Sequence, residues 1–77
     1  MTNVIYSRGS QECERAKSLL LRLEGELLEY NLGVDFSDRQ FRSEFGSEAE
    51  YPQIAIGSKH IGSLKETLQY FQTNNLL

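Results

Sequence analysis

A single cysteine in 77 residues excludes an internal disulfide framework and any redox cycle between two thiols of one chain. It fits a reducing compartment. One cysteine and one histidine fall short of the four ligands of the usual zinc site, so no metal is expected. No apolar run approaches the roughly 20 residues that a membrane-spanning helix needs. The N-terminus has neither the basic segment nor the apolar run of a secretory leader. The expected setting is therefore the cytoplasm, with no membrane partner. Positive charge is in the minority: the formal net charge is −3, which argues against nucleic acid as a partner. There is no internal repeat, low-complexity tract or linker, so residues 1–77 read as one domain. What is there, 39% hydrophobic and 25% charged residues, suits one small soluble domain with a thin core.

The chain begins with a change of period. Asn3-Val4-Ile5-Tyr6-Ser7 is β-branched and aromatic and reads as a strand. Arg8-Gly9-Ser10 breaks it. From Ser10 the apolar positions Cys13, Ala16, Leu20 and Leu23 fall on one helical face. Ser10 is placed as an N-cap, and Glu12 and Glu14 sit in the first turn, where the helix dipole favours acids. The only cysteine thus lies about one turn into a helix that follows directly on a strand, where oriented N–H groups favour a thiolate. Gly25 is expected to stop the helix. Residues 26–32 read as a second strand, although the Leu27-Leu28 pair also suits a helix.

Further along, Ser37 opens a second helix, with Gln40 spaced for a capping box and Phe36 and Phe41 placed as a hydrophobic staple. Phe41 and Phe45 share a face, and Gly46 ends the helix. Tyr51-Pro52-Gln53 holds the only proline. Ile54-Ala55-Ile56 and Lys59-His60-Ile61 read as strands joined by a Gly57-Ser58 turn. Ser63 with Glu66 forms a second capping box and starts the last helix, whose buried face is Leu64, Leu68 and Phe71. Phe36, Phe41, Phe45, Tyr70 and Phe71 fall at helical spacing and read as core. Residues 74–77 are expected to fray. The order is β-α-β-α-β-β-α. A parallel pair joined to an antiparallel hairpin gives a mixed four-stranded sheet in an α/β fold, with helices on both faces.

That order, with three motifs in place, resembles the glutaredoxins of the thioredoxin-like superfamily, and in length the compact forms found in phages. Ile5-Tyr6-Ser7-Arg8 followed by Cys13-Glu14-Arg15-Ala16-Lys17-Ser18-Leu19-Leu20 is similar to the family's strand ending, its Cys-Pro-Tyr-Cys and the helix after it. Tyr51-Pro52-Gln53-Ile54 is similar to Val-Pro-Gln-Ile, whose proline is cis. His60-Ile61-Gly62-Ser63 is similar to His-Ile-Gly-Gly. The resemblance covers nearly the whole chain. It implies a glutathione-dependent thiol–disulfide oxidoreductase, an electron carrier of cell redox homeostasis. It implies a monomer in the cytoplasm, that of the host for a phage-encoded chain. The partners implied are glutathione, as cosubstrate, and proteins bearing a glutathione adduct or a disulfide.

Residue by residue, the resemblance puts Cys13 on the second cysteine of Cys-x-x-Cys and Ser10 on the first, the nucleophile. A hydroxyl does not replace a thiol as an attacker of sulfur, so at most a monothiol route through Cys13 is open. For Cys13 two readings stand side by side, a redox thiol and a small residue kept for packing. Arg8 matches a lysine that helps hold a carboxylate of glutathione, or is a solvated loop charge. Pro52, if cis, leaves the Tyr51 backbone free to pair with the cysteinyl part of glutathione. Gly62 and Ser63, followed by Leu64, stand at a helix start whose N–H groups suit the glutamyl carboxylate. The departures are Ser10, Ser63 for the second glycine, and Lys65 where an acid is common. Iron–sulfur carriage, as in monothiol glutaredoxins, uses the first-position cysteine that this chain lacks. His60 reads as structural. The competing reading of the whole is a thioredoxin-fold binding module without catalysis.

Overall fold

The computed structural model describes residues 1–76. Strand β1 (Thr2–Ser7) leads into helix α1 (Gln11–Leu20), strand β2 (Glu26–Asn31) and helix α2 (Asp38–Phe45). Strands β3 (Gln53–Ile56) and β4 (Lys59–Gly62) and helix α3 (Leu64–Thr73) complete the chain. The sheet order is β2-β1-β3-β4. β1 pairs in parallel with β2 and antiparallel with β3, and β3 pairs antiparallel with β4. The expected α/β order and the mixed four-stranded sheet are both found.

The alternation of β1 sorts the layers. Asn3, Ile5 and Ser7 are buried, while Val4 and Tyr6 on the opposite face are half-buried. Ile5, with Ile54 and Ile56 of β3, packs under Ala16 and Leu20 of α1 and Phe71 of α3. On the other face α2 covers one end only. Tyr6 meets Phe36 and Phe45 there edge-on, at 5.5 and 5.1 Å between ring centres. The Leu27-Leu28 pair is strand: Leu27 joins the core under α1 and α3, and Leu28 turns to the other face, 41% exposed.

Caps set most of the boundaries as the sequence predicts. The Ser37 hydroxyl accepts from the Gln40 N–H at 3.1 Å, and the Gln40 side chain accepts from the Ser37 N–H at 2.9 Å. Phe36 stacks on Phe41 at 5.9 Å, closing the staple. Gly46, at φ +110°, caps α2.

Four expectations need correction. α1 ends at Leu20 with Leu21 as its cap, so Leu23 reaches the core from the connector. Gly25 does not stop the helix. It stands just before β2 at φ +103°, where an added Cβ would lie 1.9 Å from the Met1 carbonyl oxygen. That oxygen accepts from the Glu26 N–H at 3.0 Å. On α3 the position sealed beside Phe71 is Thr67, not Leu68, because the Thr67 hydroxyl satisfies itself on the Ser63 carbonyl at 2.9 Å. The expected fraying of residues 74–77 is replaced over 74–76 by a Schellman closure. The Leu76 N–H donates to the Phe71 carbonyl and the Asn75 N–H to that of Gln72, with Asn75 at φ +55°. Leu77 lies outside the described residues.

Gly25→Ala should therefore destabilise the fold by roughly 1–3 kcal/mol, the scale of a forced left-handed residue, with loss of the Met1–Glu26 bond besides. Urea unfolding measures it; an unchanged midpoint would refute the close approach.

Candidate active site

The junction of β1 and α1 is held by a knot of short polar contacts. Ser10 is the N-cap, in an extended conformation, and its hydroxyl oxygen accepts from the Cys13 N–H at 3.3 Å. The same hydroxyl lies 3.2 Å from the Cys13 sulfur, to which it donates. The Arg8 N–H points at that sulfur from 3.5 Å. Ser7 supports the turn, its hydroxyl oxygen accepting from the Gly9 N–H at 3.0 Å. Cys13 itself is 1% exposed.

Burial pushes the thiol up. Hydrogen bonds from the Ser10 hydroxyl, the Arg8 N–H and Ser7 outweigh it and bring Cys13 below its ordinary value. The Arg8 contribution comes from its backbone; its guanidinium stands over the Tyr51 ring at 5.7 Å. Glu12 and Glu14, the acids of the first turn, are not among the causes of the shift.

Cys13 packs in one cluster with Phe41 and Tyr51. The Tyr51–Pro52 bond is cis, as the resemblance implied. Tyr51 is stacked on Phe41 at 3.9 Å and 11°. Its hydroxyl donates to Asp38 Oδ1 at 3.1 Å. Burial raises the Tyr51 phenol, and the bond to Asp38 raises it further. The backbone N–H and carbonyl of Tyr51 are engaged by no other backbone group among the described residues.

Two open hollows adjoin here, the first of them lined by Tyr51. The first, of about 330 Å³, is lined by Arg8, Glu12, Arg42, Ala49, Glu50 and Tyr51. The second, of about 380 Å³, takes in Ser63, Leu64 and Lys65 and shares Glu12 and Glu50 with the first. Arg8 and Tyr51 thus line the first hollow and Ser63 and Leu64 the second, the two adjoining at Glu12 and Glu50 as a groove, whereas Cys13 and Pro52 are buried and line neither. Gly62 is also buried; at φ +125° an added Cβ would meet Glu66 Oε1 at 2.9 Å.

The groove's far end holds a competitor. Glu66 Oε1 accepts from the Ser63 hydroxyl at 2.8 Å and from the Ser63 N–H at 3.1 Å. These bonds hold the Glu66 carboxyl below its usual range. One N–H expected for a ligand carboxylate is thus already used. His60 lies away from the groove, with Nε2 2.7 Å from Gln53 Oε1 and its ring stacked on Phe45. Among the described residues no group of three or more histidine, cysteine or acidic side chains is disposed to hold a metal ion.

No family model matches the sequence, and no curated relative does either. Solved structures do. The solution structure of glutaredoxin from Brucella melitensis is 30% identical and superposes with a TM-score of 0.73 over 99% of this chain and 84% of that one. The chain belongs to the glutaredoxin family. Reduced glutaredoxin of Escherichia coli, at 24% identity, shares the fold over the full length of both chains with a TM-score of 0.75. The chain is thus a glutaredoxin-like thiol–disulfide oxidoreductase in the broad sense of its family. No described helix is long and apolar enough to cross a membrane.

Sequence reasoning missed Asp38 and Arg42, which reach Tyr51 and the loop before it from α2. Their i,i+4 spacing of opposite charges was the available signal.

Replacing Ser10 by alanine should raise the Cys13 pKa and cost about 1 kcal/mol of stability through the lost cap. The folded thiol titrates below the unfolded one, so between the two values the unfolded chain binds more protons and stability rises with pH. That contribution is complete above the unfolded value and is lost as pH falls through the folded one. Ultraviolet absorbance of the thiolate against pH, with Cys13→Ser as blank, reads the shift; superimposable curves for wild type and Ser10→Ala would contradict the hydrogen-bond account.

Proposed function

We propose that this protein carries out glutathione-linked thiol–disulfide exchange by a monothiol route through Cys13. The observation that supports this most is the position of the sulfur. It lies in one cluster with Tyr51, beside the cis Tyr51–Pro52 bond, with hydrogen-bond donors that favour its thiolate. In the forward step the Cys13 thiolate attacks the glutathionyl sulfur of a mixed disulfide. A Cys13–glutathione disulfide forms, and the substrate thiolate leaves and takes a proton from water. Attack on that disulfide by a second glutathione thiolate returns Cys13 as thiolate and releases oxidised glutathione. In sum one free glutathione is consumed: the substrate sulfur returns to a thiol, and the glutathione of the adduct leaves as half of the oxidised glutathione.

The groove would hold glutathione in three places. Arg8 faces a carboxylate. The Tyr51 backbone takes the cysteinyl part as an added strand. The β4–α3 turn at Gly62, Ser63 and Leu64 takes the glutamyl end, with Glu66 yielding the Ser63 N–H. The protein partners are those with a glutathione adduct or a disulfide. A monomer in a reducing cytoplasm suits a lone unpaired thiol.

One observation favours the competing reading, a binding module that has lost catalysis: Cys13 is 1% exposed and lines neither hollow. The two readings part in one assay. With a small glutathione mixed disulfide, wild type should turn over above its Cys13→Ser control and Ser10→Cys should be faster still, by roughly 10-fold or more, since a thiol replaces a poor nucleophile. Wild type no faster than Cys13→Ser, with slow alkylation of Cys13 and no gain in Ser10→Cys, would establish the binding module instead.

A further inference from the structure

We propose that Arg42, together with Asp38, is a positioning residue that holds residues 47–51 so that the Tyr51 backbone stays presented along the groove. This rests on the reading that Tyr51 pairs with an extended ligand. Arg42 stands in the last turn of α2. Its Nη1 donates to the Ala49 carbonyl at 2.6 Å and to the Ser47 carbonyl at 3.2 Å. Its Nε donates to Asp38 Oδ2 at 3.4 Å, and the other oxygen of Asp38 accepts from the Tyr51 hydroxyl at 3.1 Å. A closed circuit results: from α2 to two carbonyls of the loop, along the loop to Tyr51, and through its hydroxyl back to α2.

The loop has little else to fix it. Between Gly46 and Pro52 the backbone bonds are those of the Gly46 N–H to the Arg42 carbonyl and the Ala49 N–H to the Gly46 carbonyl. Gln53 adds a side-chain bond to the Glu50 carbonyl at 2.9 Å. The circuit is seated on aromatic rings. The Arg42 guanidinium lies 5.8 Å from the centre of the Phe41 ring, which stacks on Tyr51, and the Arg8 guanidinium lies 5.7 Å from the Tyr51 ring. Partial cover makes these contacts matter: the Arg42 side chain is 36% exposed and Phe41 only 2%. The role needs a planar fork with several fixed donors. A lysine carries the same charge but cannot reach two carbonyls and a carboxylate in that geometry.

Amide hydrogen exchange and a titration with S-methylglutathione, both followed by backbone NMR, test this on wild type, Arg42→Ala and Arg42→Lys. In both variants the Ala49 amide, the hydrogen-bonded one within the loop, should exchange about 10-fold faster or more, the scale of one charge-assisted hydrogen bond, while the amides of α1 and α3 keep their rates. The dissociation constant for S-methylglutathione should rise by a similar factor in both. Unchanged exchange at Ala49 overturns the proposal, and so does an Arg42→Lys variant equal to wild type in exchange and affinity, since charge alone would then be what Arg42 supplies. Should wild type fail to bind S-methylglutathione, the glutathione reading falls, and the exchange rates still decide whether Arg42 holds the loop.

Discussion

The central place of β1 is the constraint on which the rest depends. It is hydrogen-bonded on both sides, in parallel to β2 and antiparallel to β3. Its buried face fixes the height of α1 and α3, and its other face gives α2 a platform through Tyr6. Because β1 ends at Ser7 and α1 begins at Gln11, three residues must reverse the chain. Gly9 at φ +82° lets them do so. The sulfur, the cap and the Arg8 N–H are brought together by that short reversal. β3, paired on the other side of β1, carries Pro52 to the same end of the sheet.

The site relies on hydrogen bonds and ring stacking more than on paired charges. Of the two ion pairs among the described residues, Lys17–Glu29 lies away from the groove and Asp38–Arg42 works through the loop it holds. This is consistent with a small domain whose exposed pairs are worth little against solvent. Tyr51 is fixed by Phe41 stacked on its ring and by Asp38 at its hydroxyl, and no backbone group among the described residues engages its N–H or carbonyl. No buried side-chain polar atom among the described residues lacks a partner, which accounts for the tolerance of Asn3, Ser7, Gln53 and Thr67 in the interior.

Much of this was legible in residues whose signal is local. Ser37 with Gln40, Gly46, the Gly57-Ser58 turn and the β-branched and aromatic run of β1 each act within a few positions, and each came out as read. The cis bond at Pro52 came from the family resemblance, not from pattern. What failed depended on distance. Gly25 looked like a helix stop, yet its left-handed backbone answers to Met1, brought there by the pairing of β1 with β2. Leu68 lost its buried place to Thr67 because a hydroxyl returned to its own helix costs little to bury. The Glu66 carboxylate was legible as a capping partner, but its position at the end of the groove was not. Arg42 was legible only in its i,i+4 spacing with Asp38; its other partners are carbonyls, which have no letter in the sequence.

Ser10 carries the last step of the argument. A serine at the cap has the shape of a cysteine with a better donor and a far weaker nucleophile. The residue that the family resemblance puts in the place of the attacking thiol also supplies the hydroxyl that, with the Arg8 N–H and Ser7, brings Cys13 below its ordinary pKa. That hydroxyl stands against the sulfur and helps keep it 1% exposed. Acidity and access are therefore set by the same contact and move in opposite directions. A lower pKa raises the thiolate fraction but lowers the intrinsic nucleophilicity of each thiolate, so the net gain from the hydrogen bond is small near neutral pH. The cost in access is not offset in this way. Under the proposed reading, exchange needs the sulfur to be uncovered as well as ionised, and the Ser10 contact bears on both.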